Sequence, residues 1–281
     1  MVAKVFSGKV VIVTGSSNGI GRSTARQFAE QGAKVTIHGR NEKTLNETKQ
    51  LLLKAGSRED YIYEVLGEIV DKSVADKLIN GTVEKFGRID VLVNNAGGST
   101  NEGKCGFDIP LEDYDYIMNL NVRSVLVLST LALPHLEKTK GAVINISSNA
   151  ARLLAYDGGN PYYSISKAAL DSLTTHLANT FIQKGIRVNS VNPGMVLTNV
   201  FEKFGINESA LSKMENHIQG NRELIPLGRI GIPDDIASII VFLADNNKSE
   251  YIVGQCITAD GGTTMHNPFF SYVFAKPKSA L

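Results

Sequence analysis

Short apolar runs alternate strictly with longer stretches of helical periodicity along this 281-residue chain. The helical stretches repeat an apolar position every three or four residues, as in GIGRSTARQFAEQ and YYSISKAALDSLTTHLANTF. Such an alternation predicts a parallel sheet covered by helices on both faces, and strands that are apolar throughout fit because they are buried on both sides. We therefore predict an α/β fold, a doubly wound parallel sheet of about seven strands. The predicted strands are KVVIVT, KVTIH, YIYEVL, VLVNNAG, AVINIS, RVNSVNPG and QCITADGG.

No linker, low-complexity tract or internal repeat divides the chain, so we expect a single domain over residues 1–281. Its core is expected at about residues 7–264, followed by a C-terminal extension over 265–281. Residues 195–230 are polar and weakly periodic. Long irregular segments in compact domains often serve as binding loops, so we expect an irregular substrate lid there.

The charge balance argues against large anionic partners. The chain carries 29 basic and 28 acidic residues, a formal charge of +1, which provides no field toward nucleic acid or an anionic membrane. There is no run of 18 consecutive apolar residues to suggest a spanning helix. Cys105 and Cys256 are far apart, and the five histidines are scattered, so no metal site is expected. We expect a small-molecule partner.

The two ends of the sequence bear on localisation. The opening MVAKVFSGKVVIVTG leads directly into a glycine-rich turn and lacks a small-residue cleavage site, so it indicates a strand rather than a signal peptide. The closing KPKSAL is similar to a peroxisomal SKL signal, but Ala280 stands where the basic residue belongs. We expect a cytoplasmic protein, with peroxisomal delivery as the less favoured alternative.

Two adjacent tyrosines precede a lysine in NPYYSISKAALDSL, residues 160–173. In a helix, residues four apart share a face, so Lys167 lies beside Tyr163 and not beside Tyr162. A phenol with a reference pKa of ~10 is a poor acid or base near neutral pH, and a neighbouring ammonium lowers that pKa. Ordinary surface pairs have the same spacing, so the other motifs must decide between a chemical and a structural role.

The first predicted strand runs into the glycine-rich turn TGSSNGIG at residues 14–21 and then into a helix. Glycines let the backbone turn sharply and approach a phosphate, while the helix N-terminus offers free N–H groups and a partial positive charge. The spacing is GxxxGxG rather than GxGxxG, so a plain tight turn stays open as the alternative.

Five motifs in this order resemble those of the short-chain dehydrogenases/reductases: TGSSNGIG, NNAG at 94–97, NISS at 145–148, YSISK at 163–167 and NPG at 192–194. The resemblance covers about residues 7–264. It implies a Rossmann-type sheet, a nicotinamide cofactor, and an NAD(P)(H)-dependent oxidoreductase that interconverts a carbonyl and an alcohol. It also implies a homo-oligomer, commonly a tetramer. A catalytically silent dinucleotide-binding sensor or scaffold subunit is the alternative.

The resemblance implies a role for each catalytic residue. Tyr163 would be the general acid/base, and Lys167 would lower its pKa and hold the nicotinamide ribose. Ser148 would hydrogen-bond the substrate oxygen, and Asn121 would organise a proton-relay water. Hydride transfer to a carbonyl produces an alkoxide, which independently requires a proton donor and a second hydrogen-bond donor. A complete set of these residues argues against a silent scaffold.

Two of these assignments have neighbouring alternatives. Asn119 is two positions from Asn121 and therefore lies on a different helix face. Ser147 precedes Ser148, although the motif register favours the second serine. The interval from Ser148 to Tyr163 is longer than usual in the family by about two residues, with YDGG at 156–159 inside it. We expect that extra length to shape substrate specificity.

The resemblance further implies a cofactor site made from the glycine turn and the ends of the later strands. Its expected members are Gly15, Ser17, Asn18, Gly19, Ile20, Gly21, Arg40, Asn41, Glu68, Asn94, Ala96, Gly97, Tyr163, Lys167, Pro193, Gly194, Val196 and Thr198.

The end of the second strand bears on which nicotinamide cofactor is used. Enzymes that prefer NAD usually place a carboxylate there to bind the adenine ribose, and this chain has Gly39. Arg40 would bind the 2′-phosphate of NADP through a charge-assisted contact worth ~1.5–3 kcal/mol. Ser17, Asn18 and Asn41 would be minor neutral partners. We expect NADP(H) to be preferred over NAD(H), the alternative being that Arg40 is a solvated loop cation.

The substrate itself is not specified by the sequence. Residues expected near the pocket suggest a moderately hydrophobic molecule, and a steroid, a retinoid, a sugar and a small ketone all remain open. These residues are Phe107, Leu153, Leu154, Tyr156, Met195, Val200 and Phe201. The consecutive apolar residues 125–128 in the long middle helix are too many for one buried face, which supports a homo-oligomer.

Overall fold

The computed structural model describes residues 4–100, 106–153, 160–198 and 208–265. Its described strands form one seven-stranded sheet in the order β3-β2-β1-β4-β5-β6-β7, and every neighbouring pair is parallel. This confirms the predicted fold class. The strands are β1 Val10–Val13, β2 Lys34–Gly39, β3 Ile62–Leu66, β4 Val91–Asn94, β5 Ala142–Ile146, β6 Arg187–Pro193 and β7 Cys256–Ala259.

Helices cover both faces of the sheet. Two of them, α3 and α4, each continue through a π-helical turn in the middle. The helices are α1 Gly19–Glu30, α2 Glu42–Lys54, α3 Lys72–Asp76 with Lys77–Gly81 and Thr82–Phe86, α4 Leu111–Met118 with Asn119–Arg123 and Ser124–Thr139, α5 Pro161–Phe181, α6 Glu208–Ile218, α7 Pro233–Ala244 and α8 Asn246–Ser249. Short 3₁₀ turns lie at Glu59–Tyr61, Gly106–Asp108, Asn149–Ala151, Ile182–Lys184 and Thr263–Met265.

The sheet separates two apolar cores. Successive side chains of a strand point to opposite faces, so Val11 and Val13 of β1 join one core while Ile12 joins the other. All three are fully buried. The result is a single Rossmann-like domain in which strands are apolar because both of their faces are covered.

The carboxyl ends of the strands define where a ligand can bind. β1 lies between β2 and β4, so the connections after β1 and after β4 leave in opposite directions. A crevice forms outside the carboxyl ends at such a switch point. The turn after β1, the turn after β4 and the loops after β5 and β6 therefore meet at one edge of the sheet.

The expectation that residues 195–230 are irregular is wrong for the part that forms α6, Glu208–Ile218. Ile218 at the end of α6 packs with Ile225 and Ile230, and Leu197 contacts this cluster. The polar composition and weak periodicity of the segment hid the helix from the sequence analysis. Residues 199–207 lie outside the described residues.

The long helix α4 is apolar over more of its length than the consecutive apolar residues 125–128 indicated. From Leu111 to Thr139 it is long and apolar enough to cross a membrane by length and composition. Its inner side chains Val125, Leu128, Ala132 and Leu136 are buried, and all but Val125 belong to the core cluster that covers one face of the sheet. The helix therefore packs one face on this core, while 39% of its most apolar window is buried in the protein.

Candidate active site

Asn160 begins helix α5 and sets the orientation of both tyrosines. Its Oδ1 accepts the backbone N–H of Tyr162 at 2.9 Å and of Tyr163 at 3.4 Å, and Pro161 follows at the first helical position. The Tyr162 side chain turns inward, where its hydroxyl donates to the Ile109 carbonyl at 3.0 Å. Tyr162 is therefore a core residue, and Tyr163 faces the edge of the sheet.

Tyr163, Lys167 and Ser148 come together at the carboxyl end of β5. The Ser148 and Tyr163 side chains form a hydrogen bond. The Lys167 Nζ lies 5.6 Å from the centre of the Tyr163 ring and donates to the Ile146 carbonyl at 2.8 Å. The predicted proximity of Lys167 to Tyr163 is confirmed.

The pKa values of this pair differ in part from the expectation. Burial lowers the pKa of Lys167 to about 8, and the nearby Asp171 carboxylate opposes that shift. Burial raises the pKa of Tyr163 above its ordinary value, and the hydrogen bond with Ser148 opposes this. The expected net lowering of the Tyr163 pKa is wrong for this structure, because desolvation of the phenolate outweighs the neighbouring groups. Tyr163 is thus a protonated phenol at neutral pH.

The geometry distinguishes Ser148 from Ser147. Ser148 begins the 3₁₀ turn after β5, where its Oγ accepts the Ala150 N–H at 3.1 Å, and it reaches Tyr163. Ser147 is buried, and its hydroxyl donates to the Lys167 carbonyl at 3.1 Å. Ser148 faces the candidate site, and Ser147 holds helix α5 to the sheet.

The geometry also distinguishes Asn121 from Asn119. Both lie in the π-helical turn of α4. The Asn121 side chain is buried, exchanges two hydrogen bonds with the backbone of Gly98 at 2.9 and 3.0 Å, and donates to the Ser166 hydroxyl. The Asn119 amide only accepts from Arg123 at 3.3 Å. Asn121 therefore connects α4, the loop after β4 and α5 beside the tyrosine–lysine pair.

Gly97 brings the loop after β4 close to this centre. A Cβ at this position would lie 2.9 Å from the Asn121 Oδ1 and 3.3 Å from the Lys167 Nζ. Any side chain would therefore occupy the space above the ammonium. The absence of a side chain at Gly97 leaves that space open to a ligand.

The glycines of the turn after β1 are required by close backbone contacts. A Cβ on Gly15, which has a positive φ, would lie 2.8 Å from the Ala96 Cα. On Gly21 it would overlap the Gly15 carbonyl and the Asn95 amide. Helix α1 starts at Gly19 after an extended Asn18, whose side chain makes no capping bond, and Ile20 packs on the core. The turn thus keeps its helix N-terminus accessible.

Thr14 and Asn95 fix the glycine turn, and the sequence analysis overlooked both. The Thr14 hydroxyl accepts the N–H groups of Asn95 and Ala96 at 3.0 and 2.9 Å. The Asn95 amide donates to the carbonyls of Thr14 and Gly15, both at 2.9 Å. The expected ligand Asn94 instead points its side chain into the interior, where the amide donates to Asn145 at 2.9 Å.

His38 is a second residue that the sequence analysis overlooked. Its buried imidazole accepts the Gly15 N–H at Nδ1, 3.1 Å away, and Nε2 lies 3.1 Å from the Gly67 carbonyl. The first bond leaves Nε2 as the protonated nitrogen. Burial lowers the pKa of His38 to about 4, so the ring is neutral at pH 7.

The expected specificity residues after β2 form a small polar cluster. The Arg40 Nη1 pairs with the Glu68 Oε1 at 3.1 Å, and both side chains are about half exposed. The Asn41 Oδ1 caps helix α2 by accepting the Thr44 N–H at 3.0 Å. A Cβ on Gly39 would overlap the Ser17 hydroxyl. Ser17 therefore occupies the position beside the strand end where NAD-preferring relatives are expected to have a carboxylate.

The loop after β6 folds back over the glycine turn. Gly194, which follows Pro193, donates its N–H to the Ala259 carbonyl at 3.0 Å, and Val196 pairs with Gly231. The Thr198 methyl would lie 2.9 Å from a Cβ on Gly19. The glycine turn and this loop therefore line the same crevice.

The described residues fit a nicotinamide dinucleotide. The Ser17 Oγ and the Glu68 Oε2 are buried without a hydrogen-bond partner, and both lie around the end of β2 beside the glycine turn. Buried polar atoms in native proteins are normally paired, so these two are available to a polar ligand. The open space at Gly97 and the N-terminus of α1 lie at the same edge of the sheet and add to this polar lining.

The remaining expectations concern metals, thiols and the substrate pocket. Within the described ranges, no three His, Cys, Asp or Glu residues lie together in a way that would hold a metal ion. Cys256 is free and half-buried. Phe107 is largely exposed, and Met195 and Leu153 are partly exposed. Cys105, Leu154, Tyr156, Val200 and Phe201 lie outside the described residues.

Comparison with known proteins identifies the family of the chain. Residues 15–264 match the family model described as enoyl-(acyl carrier protein) reductase. A solved short-chain dehydrogenase/reductase of unknown function from Caenorhabditis elegans, determined with cofactor, is 44% identical with a TM-score of 0.90, covering 94% of this chain and 97% of its own. The chain belongs to the short-chain dehydrogenase/reductase family.

Two further members of the family were solved with their cofactors. L-sorbose reductase from Gluconobacter frateurii, complexed with NADPH and L-sorbose, is 30% identical with a TM-score of 0.83 over 92% of this chain and 97% of its own. A 7α-hydroxysteroid dehydrogenase, complexed with NADH and 7-oxo glycochenodeoxycholic acid, is 32% identical with a TM-score of 0.80 over 92% and 96%. The protein is accordingly a short-chain dehydrogenase/reductase, an oxidoreductase of small carbonyl and alcohol compounds that uses NAD(P)(H).

Proposed function

We propose that this enzyme interconverts a carbonyl and an alcohol with Tyr163 as the general acid/base, and that it prefers NADP(H). The observation that carries the proposal is the placement of Tyr163 next to Ser148 and beside the buried Lys167, whose Nζ lies 5.6 Å from the centre of the Tyr163 ring. A scaffold has no need for a buried ammonium with its pKa lowered to about 8, since burying a charge opposes folding.

In the reduction direction, Tyr163 and Ser148 act on the same substrate oxygen. Tyr163 is protonated at neutral pH, so it donates its proton as negative charge develops on that oxygen. The Ser148 hydroxyl donates a second hydrogen bond to the oxygen. In the oxidation direction the steps reverse, and the alcohol proton passes to the Tyr163 oxygen in its phenolate form, after the phenol has lost its own proton.

Lys167 acts on Tyr163 through its charge. The positive charge favours the phenolate that forms after proton transfer. Its Nζ donates to the Ile146 carbonyl and so keeps a fixed position below the space opened by Gly97. Asn121, held by Gly98 and Ser166, keeps α4 in register with this centre, and we propose that it organises the water that reprotonates the pair.

The cofactor is held by groups that line the crevice. When bound, the nicotinamide supplies or accepts the hydride at the substrate carbon. The glycine turn with Gly15, Gly19 and Gly21 would hold the pyrophosphate at the N-terminus of α1. The expected residues Asn18, Ile20, Ala96, Pro193, Gly194, Val196 and Thr198 would complete the walls, with the ribose near Lys167.

The preference for NADP(H) rests on the end of β2. Gly39 and the Ser17 hydroxyl provide no negative charge to repel a 2′-phosphate. Arg40 would bind that phosphate, although its pairing with Glu68 means that the phosphate shares the guanidinium with a carboxylate. The neutral Asn41 stays at its cap and contributes only its remaining amide protons.

For the substrate we propose a small or medium-sized carbonyl compound, in keeping with the relatives that act on L-sorbose and on a bile-acid ketone. We also propose a cytoplasmic homo-oligomer. Leu126 of α4 and Ile165 of α5 are each more than 40% exposed, and they continue the apolar surface of two long helices. A monomer in light scattering at micromolar concentration would rule out the oligomer.

The test of the chemistry compares the two tyrosines. Tyr163→Phe removes one hydroxyl and should lower kcat by ~10²–10⁴-fold while dinucleotide binding survives. Tyr162→Phe is the matched control, which loses only the bond to the Ile109 carbonyl and keeps its activity. Turnover is followed at the nicotinamide absorbance with a panel of sugar, steroid and simple ketones, and a fully active Tyr163→Phe enzyme would refute the catalytic assignment.

A further inference from the structure

Asp171 lies one helical turn beyond Lys167 on α5, and its carboxylate contacts the interior of the sheet. The Asn192 amide of β6 donates to its Oδ2 at 2.7 Å. The Ser190 hydroxyl, also on β6, lies 3.4 Å from its Oδ1. The Ser190 hydroxyl has a single proton, which goes to the nearer Asn192 Oδ1 at 2.8 Å, so the Asn192 amide is the group of β6 that holds the carboxylate.

Asn192 transmits this anchoring to the catalytic serine. Its side chain is fully buried, and its second amide proton goes to the Ser148 carbonyl at 3.2 Å. Its Oδ1 accepts from the Ser190 hydroxyl at 2.8 Å. Because both amide protons and the oxygen are engaged, Asn192 has one orientation only. The Asn192 amide therefore links the Ser148 carbonyl to the Asp171 carboxylate.

The contacts of Ser148, Tyr163, Asp171 and Asn192 form a closed ring of residues. Ser148 bonds to Tyr163 by its hydroxyl and to Asn192 by its carbonyl. Helix α5 joins Tyr163 to Asp171, which returns to Asn192. A shift at Asp171 is thus passed to the position of the Ser148 hydroxyl.

Asp171 also supplies the negative charge nearest to Lys167 along α5. Burial of the ammonium disfavours its charge. Asp171 opposes that effect through its charge. Among the described residues, Tyr163 lies beside the ammonium, Cys256 of β7 contacts the Asp171 carbonyl, and Arg152 bonds to the Cys256 carbonyl. Helix α4 contributes the neutral Asn121.

We propose that Asp171 is a positioning residue that holds Ser148 through Asn192 and places its carboxylate one helical turn from Lys167. The inference rests on the proposed function, because it acts through that site's serine and lysine. Asp171 thus has two roles. The geometric part is to fix the position of Ser148, and the electrostatic part is to favour the charged form of Lys167 by its negative charge.

Two variants separate these parts. Asp171→Asn keeps the shape and an acceptor for Asn192 but removes the charge, so the alkaline limit of kcat/KM should move to lower pH by about 0.5–1 pH unit. Asp171→Ala removes the acceptor as well, so kcat should fall by about 10- to 100-fold in addition, since the serine hydroxyl loses its fixed position. The dissociation constant of the dinucleotide, measured by fluorescence, should stay within about twofold in both.

Glu84→Gln is the matched control, because it removes one negative charge from an exposed position of α3 and should leave the pH profile unchanged. An Asp171→Asn profile that overlays the native one would overturn the electrostatic part, and an Asp171→Ala enzyme with native kcat would overturn the geometric part. If Asp171→Ala does not fold, an Asn192→Leu enzyme tests the same link and should show the same loss of kcat. Either failure would leave the proposed function in place as long as Tyr163→Phe is inactive, whereas an active Tyr163→Phe enzyme would refute the proposed function itself.

Discussion

The imidazole of His38 accepts the backbone N–H of Gly15 at 3.1 Å and reaches the Gly67 carbonyl on its other side at 3.1 Å. One ring on β2 thereby connects the glycine turn after β1 with the end of β3. The arrangement requires a neutral imidazole, because a protonated Nδ1 cannot accept a hydrogen bond. Burial lowers the pKa of His38 to about 4 in agreement with this requirement.

His38 should therefore make the fold sensitive to acid. The unfolded chain takes up a proton at the ordinary pKa of about 6.5, while the folded chain does so only near 4, so stability is lost as pH falls between these values. By pH 4.5 this loss is about 2–3 kcal/mol. His38→Gln keeps a donor and an acceptor without titrating, so its free energy of unfolding should fall less than that of the native protein between pH 7.5 and 4.5 in urea denaturation.

The exposed His176 on α5 provides the control, because His176→Gln should leave the native pH dependence in place. A His38→Gln protein that loses as much stability on acidification as the native protein would contradict the assignment.

The sequence predicted the sheet because its strands are buried on both faces, and it predicted Tyr163 and Lys167 because they are four residues apart in one helix. Asn95 and His38 were overlooked for a common reason. Their roles come from contacts with the glycine turn across 80 and 23 positions of the chain. Neither contact leaves a local pattern. The raised pKa of Tyr163 was also out of reach, since it depends on how deeply the phenol is buried.

The overlap between Gly39 and Ser17 predicts how cofactor preference responds to substitution. Gly39→Asp introduces the carboxylate of NAD-preferring relatives, but its Cβ meets the Ser17 hydroxyl. The single variant should therefore bind both NADH and NADPH more weakly than the native enzyme. Gly39→Asp combined with Ser17→Gly removes the overlap, so it should restore the binding of NADH but not that of NADPH. Dissociation constants from fluorescence titration test this, and a single variant that already binds NADH as tightly as the double variant would show that the hydroxyl does not interfere.

The pair formed by Arg40 and Glu68 predicts a moderate preference for NADPH. A charge-assisted contact is worth ~1.5–3 kcal/mol, or roughly 10- to 150-fold. Arg40 is 52% exposed and shared with Glu68, so we expect a ratio near 10-fold. Arg40→Ala should bring the ratio of the two dissociation constants close to one. Glu68→Gln should raise it, since the amide neither neutralises Arg40 nor repels the phosphate.

The ratio is the quantity to compare, because Glu68 is also expected to contact parts that the two cofactors share. If the native enzyme binds NADH as tightly as NADPH, or if Arg40→Ala leaves the ratio unchanged, the preference for NADP(H) is wrong.

Lys167 should reduce the stability of the enzyme at neutral pH in exchange for its place beside Tyr163. Its folded pKa of about 8 lies below the ordinary value of 10.5, so the folded state resists protonation. Stability should therefore rise as pH increases from about 8 to 10.5 and be lowest below pH 8, where the buried ammonium is fully charged. The shift corresponds to about 3 kcal/mol.

Lys167→Met removes this cost but also loses the bond to the Ile146 carbonyl, so we expect a net gain of about 1–2 kcal/mol in the free energy of unfolding at pH 7. The gain should shrink or reverse at pH 10, where the native lysine is neutral when folded, and urea denaturation of both proteins at the two pH values measures it. A difference between the two proteins that is the same at pH 7 and pH 10 would mean that Lys167 does not titrate near 8.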